Sequence, residues 1–270
     1  LGDVYKRQIE KGVLENMFYE GMQKAVESMS YLVKMQEVIT NNLANASTSG
    51  YKQDTTVVAN FGDLLKENVN KIELTGMDNS AEVVVSENPS LLVKQKTSFA
   101  KGNIAKTDID FDFALDGNGF FVVDTPYGLR YTRNGSFTVD ADGILRTKDG
   151  GIVLGENGPI KITGKKFEVK EDGSIYVDNK KIDKLQLVDF NDYGALVKEG
   201  ASYFKLSRDV QRLPANTRVL QGYLETSNVN AVKEMVNMVN ILRSFEMSQK
   251  VLQSQDEALK KHIEQISRMR

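Results

Sequence analysis

Side chains equipped for chemistry are few in this chain. It carries one histidine, His262, and no cysteine. Thiolate catalysis, disulfides and cysteine-bearing metal sites are therefore excluded, and a lone imidazole makes no metal cluster. His262 lies beside Ile263 in a stretch of helical spacing and reads as a surface or packing residue. Asp116-Gly117-Asn118-Gly119 and Asp140-Ala141-Asp142-Gly143 begin like calcium loops, yet neither continues to the glutamate six residues past the glycine. Gly117-Asn118-Gly119 also lacks the third glycine of a dinucleotide cradle and leads into a strand pattern. A carboxylate pair for glycoside cleavage is the one catalytic arrangement left open. Most aspartates, however, occupy turn positions that their own backbone hydrogen bonding explains. Asn45-Ala46-Ser47 and Asn134-Gly135-Ser136 match a glycosylation acceptor pattern short enough to arise by chance. No cofactor is expected.

Composition narrows the class. The chain has 270 residues, 40% hydrophobic and 27% charged, which suits a globular protein with a real core. A formal net charge of −2 argues against a nucleic-acid partner, which would require a basic excess. No run approaches the ~18 apolar residues of a spanning helix, so no membrane insertion is expected. The first sixteen residues, LGDVYKRQIEKGVLEN, lack the apolar stretch and cleavage site of a secretory signal. They read as a dispensable leader, with Met17 the more natural start.

Two helical patterns flank a region of period two. From Met17, the residues Phe18, Met22, Ala25, Met29, Leu32, Ile39 and Leu43 recur at three- and four-residue steps, with Gln36 in one slot. At the other end Met235, Met238, Leu242, Phe245, Leu252, Leu259, Ile263 and Ile266 do the same, with Gln249 and Asp256 as polar seam positions. Thr226-Ser227-Asn228 offers cap side chains before that helix. Between them, strands are predicted at 111–115, 120–123, 129–133, 137–139, 144–147, 152–154, 167–169, 175–177 and 185–190. Asn134-Gly135, Asp142-Gly143, Asp149-Gly150 and Asp172-Gly173 supply the positive φ angles of tight turns. The expected fold is α+β: a mainly-β central domain, an antiparallel sandwich or partly open barrel, flanked by long terminal helices that pair in a coiled-coil-like seam. Expected boundaries are a leader at 1–16, an N-terminal helix with an Asn-rich motif at 17–59, an irregular linker at 60–96, a β-rich domain at 97–215 and a C-terminal helix at 216–270. Within the linker, 61–65 reads as a short helix, and 82–85 and 91–94 as extended.

Three separated motifs carry a resemblance. The first is Asn41-Asn42-Leu43-Ala44-Asn45 with Thr48-Ser49-Gly50-Tyr51-Lys52. The second is Ala114-Leu115-Asp116-Gly117-Asn118-Gly119-Phe120-Phe121 with Tyr131-Thr132-Arg133-Asn134-Gly135-Ser136-Phe137. The third is Gln221-Gly222-Tyr223-Leu224-Glu225-Thr226-Ser227-Asn228-Val229-Asn230, running into Glu234-Met235. In this order and spacing they resemble the bacterial flagellar basal-body rod and hook proteins. The compact middle looks like a rod component. Gly155–Ile160 and Arg243–Met247 resemble the proximal rod protein, and Gln221–Asn230 equally the distal one. The resemblance implies a subunit without enzymatic activity, exported by the flagellar type III apparatus without a cleaved signal. Its place would be the periplasmic rod of the basal body, and its partners further copies of itself and neighbouring rod and hook proteins. It also implies an assembly role for Asn41, Asn42, Leu43, Asn45, Gly50 and Tyr51. The asparagines would close the first helix in left-handed cap geometry and pair with neighbouring subunits, while Tyr51-Lys52 would anchor the chain in an outer layer.

A function of another class stays in view: a wall-directed hydrolase whose β domain cleaves peptidoglycan, which murein turbidity separates from a structural subunit. The pattern of the first sixteen residues generates the first test. A chain starting at Met17 should restore swimming to a rod-deficient strain as fully as the whole chain does, scored by motility-plate diameter.

Overall fold

The computed structural model describes residues 2–59, 92–164 and 166–268. The expected elements at 61–65 and 82–85 and the side chain of His262 lie outside the described residues. Helix α1 spans Gly2–Ala44 and so runs through the segment read as a leader. Helix α2 spans Ala231–Arg268. The chain splits into two compact units, one drawn from Leu1–Asn41, Thr55–Lys96 and Val232–Arg270, the other from Asn42–Asp54 and Thr97–Ala231.

The second unit is a set of short antiparallel strands. β1 (Asp54–Ala59) and β2 (Leu92–Thr97) form a two-stranded ribbon that falls almost wholly in the first unit, and β3 (Ile104–Lys106), β4 (Phe113–Gly117) and β5 (Phe120–Thr125) follow in the second. The chain continues through β6 (Gly128–Thr132), β7 (Phe137–Val139), β8 (Leu145–Thr147), β9 (Ile152–Gly155) and β10 (Gly158–Pro159). Next come β11 (Phe167–Val169), β12 (Ser174–Val177), β13 (Lys180–Lys184) and β14 (Leu187–Phe190). The last are β15 (Leu196–Glu199), β16 (Tyr203–Leu206), β17 (Arg212–Pro214), β18 (Thr217–Gln221) and β19 (Tyr223–Glu225). The main sheet has the order β15-β16-β6-β5-β9-β8-β7, with β14 also on β5, and it is open. β18 pairs with β4 from Thr217–Gly117 to Gln221–Phe113, and β19 pairs with β3. The β unit therefore continues past residue 215, where the sequence pattern placed its end.

Strand β5 organises the core because both its faces are covered. Phe121 packs with Phe113, Leu115, Phe137, Leu145 and Val153 on one side. Phe120 and Val122 pack with Tyr131, Phe190, Leu196 and Phe204 on the other. Period-two alternation sends adjacent phenylalanines to opposite faces, so an unbroken apolar run is what a strand buried on both sides requires. Phe121 and Phe137 meet edge-to-face at 5.2 Å, and Tyr131 and Phe190 at 4.9 Å.

In the first unit the two helices touch: a Cβ placed on Gly21 would lie 3.0 Å from Gln255 Nε2. The less exposed face of α2 carries Glu234, Met238, Ile241, Phe245, Ser248, Leu252, Gln255 and Leu259. Met238, Phe245, Leu252 and Leu259 are the expected seam residues, but every other position is shifted by one. Met235 and Leu242 are 53% and 43% exposed, while Glu234 and Ile241 are 3% and 6% exposed. Gln249 and Asp256 are exposed as well, and Asp256 bonds Lys260 one turn on. On α1, Met29 and Leu32 are half-buried, Ile39 is buried and Met22 is exposed.

Turn chemistry holds at three dipeptides, with Gly143, Gly150 and Gly173 at φ of 79°, 88° and 82°. Gly135 differs. It is absent from the left-handed residues, and a Cβ there would fall 1.8 Å from the Phe113 carbonyl oxygen. Its side-chain position is filled by the backbone of β4. Gly150→Ala, with open space around it, should cost only the left-handed backbone strain of ~1–2 kcal/mol. Gly135→Ala must push two strands apart and should cost more than twice that, read from urea unfolding midpoints.

Candidate functional site

Residues from all three sequence motifs meet inside the β unit. After α1 the chain descends through successive turns, in which Asn45 N bonds Asn42 O at 3.2 Å and Thr48 N bonds Asn45 O at 3.1 Å. None of Asn41, Asn42 and Asn45 adopts the left-handed cap conformation; Gly50 does, at φ 67°. A Cβ on Gly50 would sit 2.3 Å from Asn134 N, while the Gly50 N–H donates to the Glu225 carbonyl at 2.7 Å. Only glycine provides both the angle and the clearance.

Asn42 is 1% exposed and works within the chain. Its Oδ1 accepts from Asp54 N at 2.9 Å and from the Tyr51 hydroxyl at 3.1 Å, and its Nδ2 donates to Asp54 O at 2.7 Å. The intersubunit pairing expected of this amide is thus replaced by a clamp on residues 51–54. Tyr51 and Lys52, expected in an outer layer, are each 1% exposed.

Five charged side chains gather below this turn. Lys52 Nζ donates to Glu225 Oε1 at 2.7 Å and to Ala100 O at 2.8 Å. Arg133 Nε lies 3.1 Å from Glu225 Oε2, and Arg133 Nη2 donates to Gly117 O at 2.8 Å. Gly102 N donates to Glu225 Oε1 at 2.9 Å. Lys198 Nζ donates to Asp54 Oδ2 at 2.8 Å and sits 3.6 Å from the centre of the Tyr51 ring, a cation–π distance. Thr97 Oγ1 donates to the other Asp54 oxygen at 2.6 Å. Asn228 closes the arrangement, accepting from Gln53 N at 2.7 Å and donating to Ser98 O and Ala100 O at 3.0 Å. This corrects the expected helix cap: Asn228 is used here, and α2 begins three residues later. Burial lowers the pKa of Lys52, opposed chiefly by Glu225, and burial lowers that of Lys198, opposed by Asp54.

The remaining motif residues have structural places. Asn41 is exposed, and Leu43 and Asn45 are half-buried. Asp116 pairs with Arg218 across β4 and β18. Gly117 lies against Thr217, and Gly119, at φ 121°, lies against Ala215. Phe120 and Tyr131 are core. Sequence reasoning singled out Arg133, gave Lys52 an anchoring role and Asn228 a helix-capping one, and gave no role to Asp54, Lys198 or Glu225. Lys52, Glu225 and Asn228 stood inside quoted motifs, and Lys198 stood in none. Glu225 and Asp54 are sealed and held by cations, so neither is placed to act as a general acid or base on an outside substrate.

Similarity to known proteins follows the same three blocks. The profile described as "Flagella basal body rod protein" matches residues 22–52, "Flagellar hook protein FlgE/F/G D1 domain" matches 114–177, and "Flagellar basal body rod FlgEFG protein C-terminal" matches 220–266. The flagellar basal-body rod protein FlgG of Buchnera aphidicola subsp. Acyrthosiphon pisum is 33% identical over 244 residues, covering 83% of this chain and 91% of the relative. The chain belongs to the flagellar basal-body rod family. Rod protein FlgF of Caulobacter vibrioides is 27% identical over 260 residues, covering 95% of this chain and all of the relative. Rod protein FlgG of Bacillus subtilis is 28% identical over 247 residues, covering 84% and 91%. As a rod-family protein the chain is a structural, non-enzymatic subunit of the basal-body rod. The buried knot is thus an architectural site.

Removing Glu225 would leave Lys52 and Arg133 buried without their shared counter-charge. Glu225→Gln should cost about 3–5 kcal/mol, the usual effect of breaking a buried ion pair, and Lys52→Met clearly less because Arg133 still compensates Glu225. The pH dependence has a sign. Without Glu225 the folded-state pKa of Lys52 falls further below its unfolded value, so the unfolded state binds more protons across a wider window. The deficit of Glu225→Gln should shrink as pH rises toward that unfolded value, read from urea midpoints across an alkaline series.

Proposed function

We propose that this rod subunit builds the shaft by joining copies of itself and neighbouring rod and hook proteins through its terminal helices. The observation that carries the reading is a second apolar stripe on α2. Val232, Met235, Val236, Val239, Leu242, Met247 and Val251 are each between 43% and 72% exposed. At 100° per residue they share the half of the helix opposite the less exposed face already described, with one five-residue gap between Leu242 and Met247. A folded monomer rarely leaves a continuous apolar stripe in water, and such stripes mark contact surfaces. α1 adds exposed Tyr19, Val26 and Val33. The helix seam inferred from spacing is thus proposed as a seam between subunits at Met235 and Leu242, with Met238, Phe245, Leu252 and Leu259 facing the other way. Asn41 and Leu43, at the end of α1, would adjoin that contact.

Periplasmic placement in the basal body and passage through the flagellar type III export apparatus without a cleaved signal complete the proposal. A shaft transmits torque only if each subunit grips several others, and exposed helical stripes provide that grip without altering the β unit. Leu242→Asp places a charge on the outer stripe, where the monomer tolerates it but a subunit contact must bury it without a partner. The purified variant should keep the parent's unfolding midpoint to within about 0.5 kcal/mol, as surface substitutions do. In a rod-deficient strain it should be produced at normal levels yet leave cells non-motile, with no rod in isolated basal bodies. Motile cells at normal protein levels would rule out the stripe as an assembly surface.

A further inference from the structure

The knot holds more positive than negative charge. Lys198 and Asp54 cancel, while Lys52 and Arg133 share the single carboxylate of Glu225. The side chains of Lys52, Arg133 and Glu225 are 1%, 4% and 2% exposed, so water screens little of the excess. Hydrogen bonding is incomplete on both sides of the Arg133–Glu225 pair, since Glu225 Oε2 is buried with no donor among the described residues. An ammonium group has three donors and Lys52 uses two of them. Among the described residues no acceptor reaches Arg133 Nη1, although that atom is buried.

A cavity of about 10 Å³ adjoins the two cations, lined by Lys52, Arg133, Phe99, Phe120, Tyr193 and the Asn118-Gly119 turn. Its size matches one water or one monatomic ion. Glu225 is not among its walls, so the cavity meets the cationic side of the knot and not the carboxylate. Three aromatic walls lower the local polarizability relative to water and strengthen any charge interaction inside it. Asn118 at its edge is exposed, which gives a small ion a route in.

We propose that this cavity is a binding site for a monatomic anion such as chloride, held by Lys52 Nζ and Arg133 Nη1. The ion neutralises the surplus charge of the knot and takes up donors that no protein acceptor reaches. This site is independent of rod assembly, since every residue in it belongs to the β unit.

The test follows thermal unfolding of the full chain while sodium gluconate, too large for the cavity, is replaced stepwise by sodium chloride or sodium bromide at fixed ionic strength. A halide present at about ten times its dissociation constant should raise the unfolding midpoint by roughly 2–4 °C, with a saturating dose dependence. Asn118→Asp places a fixed carboxylate at the cavity edge while leaving the pairs of Glu225 intact, and should abolish the response in a protein that still folds. Arg133→Lys, if it folds, should reduce the response at least threefold. Crystals grown in bromide should show one anomalous peak between Lys52 and Arg133. Midpoints unchanged by halide, or a full response surviving in Asn118→Asp, would overturn the proposal and leave the cavity to water.

Discussion

A single buried carboxylate sets the terms for the β unit. Glu225 accepts from Lys52 and from Gly102 N and faces Arg133, while its own backbone carbonyl accepts from Gly50. Burying one carboxylate is unfavourable by several kcal/mol unless its charge and lone pairs are met from within. Meeting the charge here takes four separate pieces of chain: the turn after α1, the segment leading to β3, the end of β6, and β19; the lone pairs are met at Oε1, while Oε2 faces Arg133 without a hydrogen bond among the described residues. Each must be in place for the others to be tolerated. The backbone around Gly50 can approach Asn134 only because the residue lacks a side chain, so the knot's electrostatics and its close packing impose the same geometry.

Around that knot the apolar core follows from β5. A strand covered on both faces divides the sheet's packing into two clusters and leaves the charged side chains to the border. Helix α2 starts six residues after Glu225, with Asn228 between them spoken for by Gln53, Ser98 and Ala100. The segment that leads into the helix is therefore held within the β unit.

Several features were readable directly from residue types. The strands at 137–139 and 167–169 were bounded correctly because turn signals flank short apolar runs. The run from Phe120 to Val123 was placed because nothing but a strand suits it. β13 and β15 were missed because KKIDK and LVKE look like solvated loop, although each is a short strand paired on one edge. The helix pattern differs from the less exposed face of α2 by one residue at alternate positions for a definite reason. Ile241 and Leu242 are both apolar, so spacing alone admits either, and a buried Glu234 defeats any rule that assigns charge to the surface. The knot was the hardest feature to foresee. Its charges belong to motifs far apart in sequence, and each alone looks like an ordinary surface residue. The rod-family resemblance marked the right blocks but implied that the asparagine amides pair with neighbouring subunits, whereas Asn42 spends its amide within the chain on Tyr51 and Asp54.

Lys52 and Glu225 are separated by 173 positions along the chain. A contact of such span closes a very long loop and can form only after most of the intervening sequence has been made. Proteins dominated by such distant pairings fold slowly compared with those stitched by local ones. Until that loop closes, Lys52, Arg133 and the Gly50 turn lack their shared counter-charge. The β unit thus has a built-in order of completion: its sheet can gather first, and the lock closes only when residue 225 reaches the turn.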